Sequence, residues 1–119
     1  MTNTDLNPKE RVNVGRFLRA LDLFRDLDPH MRLAEIRSYL TVALNENQPI
    51  GEVGRQAGIP AQSVSTYLRT LGEHQDRNGK PAMGLLAART SPFSGRETLV
   101  RLTPKGNALA EKIRDAMKG

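Results

Sequence analysis

The stretch over residues 91–106 constrains the fold of this chain more than any other. A tip that contains Gly95 and Arg96 leads into an alternating segment that ends at Thr103, and Pro104 follows directly. Alternation predicts a strand, whereas Thr followed by Pro is typical of a helix start, with the Thr as N-cap and the Pro in the first turn. Because glycine lets a tip turn sharply, the stretch predicts a basic tip, a strand and an immediate helix.

Two short helices are predicted upstream, over residues 50–57 and 61–71, with Gly58 ending the first and Pro60 in the turn. The outward face of the second helix is polar and nearly free of acids. It consists of Gln62, Ser63, Ser65, Thr66, Arg69 and Thr70. A solvated helix face normally prefers Glu and Lys, which favour helix more than Ser and Thr do. We therefore expect this face to approach the bases and phosphates of DNA, with an ordinary exposed face as the alternative.

The basic tip belongs to a predicted hairpin with strands over residues 85–90 and 97–103, in which Val100 and Leu102 face the core. The hairpin residues expected to contact DNA are Arg89, Ser94, Gly95 and Arg96. Two helices joined by a turn and followed by such a hairpin predict a winged helix-turn-helix. The predicted fold class is mainly α with a small antiparallel β-wing.

Two further side chains of the hairpin have open interpretations. Arg101 is a weaker candidate for DNA contact, because the face of the strand on which it lies is not fixed by the sequence. Phe93 can contact a sugar or the edge of the minor groove, or it can fold back on Pro92 and the base of the hairpin. We favour the second interpretation.

The predicted fold has a helix at each end of the chain. The first begins with a capping box from Asn7 to Glu10, and its apolar stripe is Val14, Phe17, Leu18, Leu21 and Phe24. The last spans residues 104–117, with the stripe Leu109, Ile113 and Met117. The core of such a small domain can bury only part of these two stripes. The remaining apolar side chains would form exposed patches, which soluble monomers generally avoid. We therefore expect a homodimer whose interface contains Phe17, Leu21, Phe24, Leu109 and Ile113; the alternative is that both helices pack within the monomer.

A further helix is predicted to start at Asp28-Pro29, and residues 45–49 are predicted to break the chain. Its apolar stripe is Leu33, Ile36, Leu40 and Leu44, widened by Tyr39 and Val42. The predicted organisation is an N-terminal tail and dimerisation helix (residues 1–29), a DNA-binding domain (30–103) and a C-terminal dimerisation helix (104–119).

The positive charge of the chain is confined to its second half. Residues 1–49 hold seven basic and seven acidic side chains and are neutral, whereas residues 50–119 hold eleven basic and six acidic ones, which accounts for the whole net charge of +5. Such an asymmetry can arise by chance in a short chain. It is also the charge distribution expected for a polyanion-binding surface, whose affinity depends steeply on salt.

The sequence offers no recognisable catalytic or metal-binding pattern. It has no Cys, and its two imidazoles, His30 and His74, lie in different segments without spaced carboxylates. Gly79-Lys80 lacks the remaining residues of a phosphate-binding loop. We therefore expect neither an enzyme, nor a metal, nor a cofactor. Without a membrane-length apolar run or a signal peptide, the expected compartment is the cytoplasm, at the nucleoid.

From about Leu33 to the C-terminus the chain resembles the MarR family of bacterial transcription regulators. The resemblance rests on three motifs, which are residues 50–59 (first helix and glycine turn), 63–71 (recognition helix) and 96–106 (wing Arg, Val-x-Leu-Thr strand and helix start). The chain departs from the family at Ser94, where an Asp is usual, in an insertion around residues 74–83, and in its shorter terminal helices.

The resemblance implies a sequence-specific, dimeric regulator of transcription that binds double-stranded DNA as a repressor. Its helix over residues 61–71 would enter the major groove, and its wing over residues 85–103 would lie on the backbone or in the minor groove. A small-molecule effector of unknown identity is also compatible with it. The competing class is a winged-helix module that binds protein without specific DNA binding.

Overall fold

The computed structural model describes residues 5–73 and 82–118. Within them, five helices and three short strands follow one another. They are α1 (Pro8–Leu27), α2 (Leu33–Leu44), β1 (Gln48–Pro49), α3 (Ile50–Ala57), α4 (Ala61–Leu71), β2 (Leu86–Thr90), β3 (Thr98–Leu102) and α5 (Pro104–Lys118). The predicted fold class is confirmed. His74 and the Gly79-Lys80 pair lie outside the described residues, as does most of the predicted insertion.

The terminal helices begin where the sequence predicts. At the start of α1 the Asn7 side chain accepts the Glu10 N–H at 2.9 Å, and the Glu10 carboxylate accepts the Asn7 N–H at 3.0 Å. At the start of α5 the Thr103 hydroxyl accepts the Gly106 N–H at 2.9 Å and donates to the Gly84 carbonyl. Helix α1 packs against α5. Both predicted N-caps are confirmed.

The predicted start of α2 is wrong, because Asp28 ends α1 instead of starting the next helix. The Asp28 N–H donates to the Phe24 carbonyl at 3.0 Å, and its carboxylate accepts the His30 N–H at 2.9 Å. These bonds form a turn, so that α2 begins only at Leu33. There the Glu35 carboxylate accepts the Arg32 N–H at 2.9 Å and takes the capping role.

The predicted apolar stripe of α2 is wrong at its two ends and correct between them, where Ile36 and Leu40 pack against the core. Leu33 and Leu44 are 70% and 83% exposed, whereas Tyr39 and Val42 are completely buried. The helix is rotated so that Tyr39 can donate a hydrogen bond from its hydroxyl to the Gly106 carbonyl of α5 at 2.6 Å. Burial raises the pKa of this phenol to about 12. Burial of Tyr39 and Val42 and a hydrogen bond to a distant helix together hold this face of α2 inward.

The three strands form one antiparallel sheet in the order β1-β3-β2. Val100 and Leu102 are buried on its inner face, as predicted. Strand β1 was not predicted, because the segment was interpreted as a break. Its pairing of Gln48 with Val100 follows the positive φ of 63° at Asn47, whose N–H donates to the Val100 carbonyl at 2.7 Å. Two residues are too few to show alternation, so this strand has no sequence signal of its own.

Candidate nucleic-acid interface

A tight corner fixes the angle between α3 and α4. Gly58 ends α3 in the left-handed conformation with φ of 72°, and the Ile59 N–H donates to the Gly54 carbonyl at 2.8 Å. A Cβ at Gly54 would lie 2.5 Å from the Ile59 carbonyl oxygen, so the close approach of the two helices requires glycine there. Arg37 of α2 adds a hydrogen bond from its Nε to the Ala57 carbonyl at 2.9 Å. The corner and its support hold α4 in one orientation.

Helix α4 has a buried face and an opposite polar face. Val64 and Leu71 are buried in the core, and Leu68 is half-buried beside them. The exposed residues of the polar face are Gln62, Ser65, Thr66 and Arg69. Ser63 and Thr70, which were predicted with them, are half-buried at its edge. The structure therefore brings four of the six predicted side chains onto one exposed strip and leaves two at its margin.

A polar cleft borders α4 on the side of the α1–α2 turn. Thr66, Tyr67 and Thr70 line it from α4. The turn and the start of α2 contribute Asp28, His30, Arg32 and Glu35. Sequence reasoning did not place His30 or Arg32 beside α4, because no local pattern relates residues more than thirty positions apart. Both are exposed, and together they add basic and titratable groups next to the polar face.

The strand register determines which wing residues face solvent. Arg89 lies opposite Leu99, and Arg101 lies opposite Ala87. Directly opposed residues share a face of the sheet, so the side chains of Arg89 and Arg101 leave from the same face, opposite to the buried Val100. Both arginines are exposed. The face of Arg101, which the sequence left open, could have been derived from its position between two core residues of one strand.

Hydrogen bonds define the wing tip. The Ser91 N–H donates to the Glu97 carbonyl at 2.8 Å, and the buried Ser91 hydroxyl accepts from the N–H groups of Phe93 at 3.2 Å and Ser94 at 3.3 Å. The Ser94 hydroxyl in turn accepts the Arg96 N–H at 3.5 Å. Gly95 and Arg96 are exposed. Ser94 thus supports the backbone of Arg96 from the position where the resembled family usually has an Asp.

The preferred interpretation of Phe93 is wrong, since its side chain is 97% exposed. The Ser91 hydroxyl holds the backbone on either side of Phe93 in a turn, which directs the ring away from the base of the wing. Pro92 is exposed as well and does not cover it.

Sequence comparison finds no matching family model and no matching curated protein. Solved structures do match. A MarR-family transcriptional regulator from Silicibacter pomeroyi has a TM-score of 0.56 at 21% identity, over 91% of this chain and 62% of that one. The transcriptional repressor CouR bound to a 23-mer DNA duplex has a TM-score of 0.61 at 19% identity, over 92% of this chain and 67% of that one. The transcriptional regulator Tm0710 from Thermotoga maritima has a TM-score of 0.67 at 18% identity, over 91% of this chain and 66% of that one. The chain has the MarR fold.

The MarR fold confirms the predicted winged helix-turn-helix, although the matched proteins are longer than this chain. This chain spans 62% of the length of the Silicibacter pomeroyi regulator and 66% of that of Tm0710.

We define the α4–wing surface as the exposed strip of α4 together with Arg89, Arg96 and Arg101. The basic side chains of this surface make no ion pair with another described residue. The ion pairs within the described ranges are Asp22–Arg25, Glu52–Arg55 and Arg114–Asp115. Arg55 of α3 differs from the surface arginines. Hydrogen bonds from Arg55 and Gln56 lower the pKa of Glu52 to about 2, so Glu52 is ionised at neutral pH and is the carboxylate partner of Arg55 on α3. The arginines of the surface are better placed to bind an external anion.

The terminal helices of this MarR fold hold some predicted interface residues in the core. Phe24 is 3% and Leu109 is 6% exposed, because the end of α1 and the start of α5 pack on the body of the monomer. The Phe24 ring meets Tyr39 edge-on with a centroid distance of 5.6 Å. These two predictions are therefore corrected, since neither side chain offers surface to a partner. Leu21 and Ile113 are half-buried, and Phe17 is 57% exposed.

Within residues 5–73 and 82–118, no three His, Cys, Asp or Glu side chains are grouped closely enough to hold a metal ion. None of the helices described for this chain combines the length and apolarity needed to cross a membrane.

Proposed function

We propose that this chain is a homodimeric, sequence-specific DNA-binding repressor of transcription. The observation that carries the proposal is the polar face of α4, which has no acidic residue and stands on a helix fixed by the Gly54–Ile59 corner. Its exposed side chains are Gln62, Ser65, Thr66 and Arg69. A rigid helix with such a face suits the major groove, where amide and guanidinium groups read base edges in pairs of hydrogen bonds.

The wing supplies the contacts that are independent of sequence. In the proposal, Arg89, Arg96 and Arg101 bind phosphates, because guanidinium groups form charge-assisted, bidentate bonds with phosphate oxygens. Ser94 and Gly95 let the tip approach the backbone closely. The description of CouR as a transcriptional repressor bound to a DNA duplex supports DNA as the ligand and repression as the mode of regulation. The site of action would be the nucleoid in the cytoplasm.

A second copy of the chain would cover the apolar patch on α1. This α1 patch consists of Val14, Phe17 and Leu18, which are all more than half exposed and lie on one side of the helix. A twofold axis would bury two such patches against each other and set two α4 helices about one DNA turn apart, roughly 34 Å. The expected operator is therefore nearly palindromic.

A small-molecule effector remains part of the proposal. Its support is the MarR-fold regulator PcaV from Streptomyces coelicolor, whose structure is described as a complex with its natural ligand.

The proposal is tested by selecting duplexes from a randomised pool with the purified protein and measuring their retardation in gels against unrelated competitor DNA. We expect an enriched motif that resists the competitor. Arg69→Ala should reduce that resistance, whereas Arg25→Ala, which removes an exposed Arg from α1, should preserve it. If no motif is enriched and the competitor removes all binding, the chain is a winged-helix module that binds something other than specific DNA.

A further inference from the structure

Phe93 is the most exposed large apolar side chain in the described part of the protein. Single exposed apolar residues are ordinary on protein surfaces. What distinguishes Phe93 is its placement at the tip of the wing, where no described element packs against it. The other large exposed apolar residues, such as Phe17 and Leu44, lie on helices.

The tip is built to hold Phe93 outward. The Ser91 hydroxyl accepts two backbone N–H groups, one from Phe93 and one from the next residue, and Ser91 itself is buried. The Ser91–Glu97 backbone bond at 2.8 Å closes the hairpin directly below the tip. Since the turn is fixed before any ligand arrives, little conformational entropy is lost when the ring enters a binding site.

The wing also carries Phe93 clear of the body of the protein. Ala87 is the last buried residue of β2, and the three residues after it are exposed. Val100, which pairs with Ala88, is also buried, so the hairpin extends beyond the core by the pairs Arg89–Leu99 and Thr90–Thr98, roughly 7 Å at about 3.3 Å per residue. Exposed arginines stand on the same hairpin, at Arg89, Arg96 and Arg101. An exposed aromatic ring on a hairpin that carries basic side chains matches a narrow groove lined by phosphates, where a ring can stack on a base.

We propose that Phe93 enters the minor groove beside the major groove occupied by α4 and partly unstacks one base step, so that the duplex bends. This inference rests on the proposed function. Apolar wedges that enter the minor groove kink DNA by about 20–90° toward the major groove, and pyrimidine–purine steps yield most easily. The flanking arginines bind the phosphates on either side of the minor groove that the wedge opens. Phe93 would then favour operators with a flexible base step at the insertion site, although it makes no hydrogen bond to the bases of that step.

A fluorescent reporter tests the insertion directly. The chain contains no Trp, so Phe93→Trp introduces a single indole at the tip. The probe is a duplex that the wild-type protein selects from a randomised pool. Binding should quench the indole emission and protect it from acrylamide, because the ring stacks on a base. Unchanged acrylamide quenching in the bound state overturns the inference, as does protection by vesicles of anionic lipid but not by DNA.

A pair of variants tests the wedge. Phe93→Ala should weaken binding to the selected duplex about tenfold, the loss typical of a base-stacking aromatic, and should reduce the bend measured by energy transfer between the duplex ends. Phe93→Leu keeps an apolar wedge and should retain most of the bend. If Phe93→Ala binds and bends the duplex like the wild type, the inference falls while the proposed function stands. If the wild type selects no duplex, both fall.

Discussion

The α4–wing surface and the α1 patch expose opposite chemistry on one small protein. The first presents hydroxyl, amide and guanidinium groups without an acid on α4, whereas the second presents Val14, Phe17 and Leu18 to solvent. Polar groups on a rigid frame suit a hydrated, charged partner such as DNA. An exposed apolar stripe suits an apolar protein surface, because water is excluded from such an interface. In the proposed function these are two interfaces with different partners, which substitutions can separate.

The largest effect is expected at the α1 patch. Phe17→Glu places a charge at the centre of the patch, and because Phe17 is 57% exposed the monomer should still fold. Loss of the dimer removes the second half-site contact, so that binding to a full operator should fall by a factor on the order of 10²–10⁴. Sedimentation gives the oligomeric state, and thermal melting checks the fold. A folded, monomeric variant that binds the full site normally would contradict the link between the two interfaces.

The next effect is expected on α4. Arg69→Ala should weaken specific binding by about 1–3 kcal/mol if Arg69 makes a bidentate base contact, and leave melting and dimerisation unchanged because the side chain is exposed. Isothermal titration with operator and with scrambled duplex separates the specific loss from the general one. Equal losses on both duplexes would reassign Arg69 to the phosphate backbone.

A smaller effect is expected at the contact that joins α2 to α5. Tyr39→Phe removes the 2.6 Å hydrogen bond to the Gly106 carbonyl, which keeps its intrahelical partner, so that the free energy of unfolding should fall by about 1 kcal/mol. The folded-state pKa of Tyr39, about 12, is higher than its ordinary value. A raised folded pKa means that its stabilising effect is present below about pH 10 and is lost between about pH 10 and 12. The wild type should therefore lose more stability than Tyr39→Phe in that window; parallel denaturation curves would disprove the assignment.

The smallest effect is expected on the wing. Arg96→Ala should lower specific and non-specific affinity together and make the salt dependence of binding shallower by about one unit. The measurement is the slope of log affinity against log salt concentration for both duplexes. Arg114→Ala is the matched control, because that arginine is paired with Asp115 on α5. A loss limited to one operator base, with an intact slope, would mean that Arg96 reads sequence.

Local signals in the sequence predicted the bounds of the short helices, the start of α1 and the strands of the wing. The bounds of α3 and α4 follow from Gly58 and Pro60, and the start of α1 follows from its capping box. The wing strands end within one residue of their predicted bounds, with Val100 in the core. The division into residues 1–29, 30–103 and 104–119 stays a prediction.

The missed features depend on contacts between distant segments. The inward face of α2 is fixed by core packing of Tyr39 and Val42 and by the hydrogen bond of Tyr39 to α5, and β1 forms by pairing with the edge of β3. Asp28 is a typical helix-capping residue, but its carboxylate accepts the His30 N–H in a turn and starts no helix. The exposure of Phe93 follows from a hydroxyl two residues away, which a period-based pattern does not register.

The central claim is that two α4 helices of a dimer occupy successive major grooves while the wings meet the minor groove. Dimethyl sulfate interference on a selected duplex tests it most directly, because the reagent modifies guanine N7 in the major groove and adenine N3 in the minor groove. We expect two clusters of guanine N7 interference about one helical turn apart, with adenine N3 interference beside each. A single cluster, or uniform weak interference along the duplex, would contradict it.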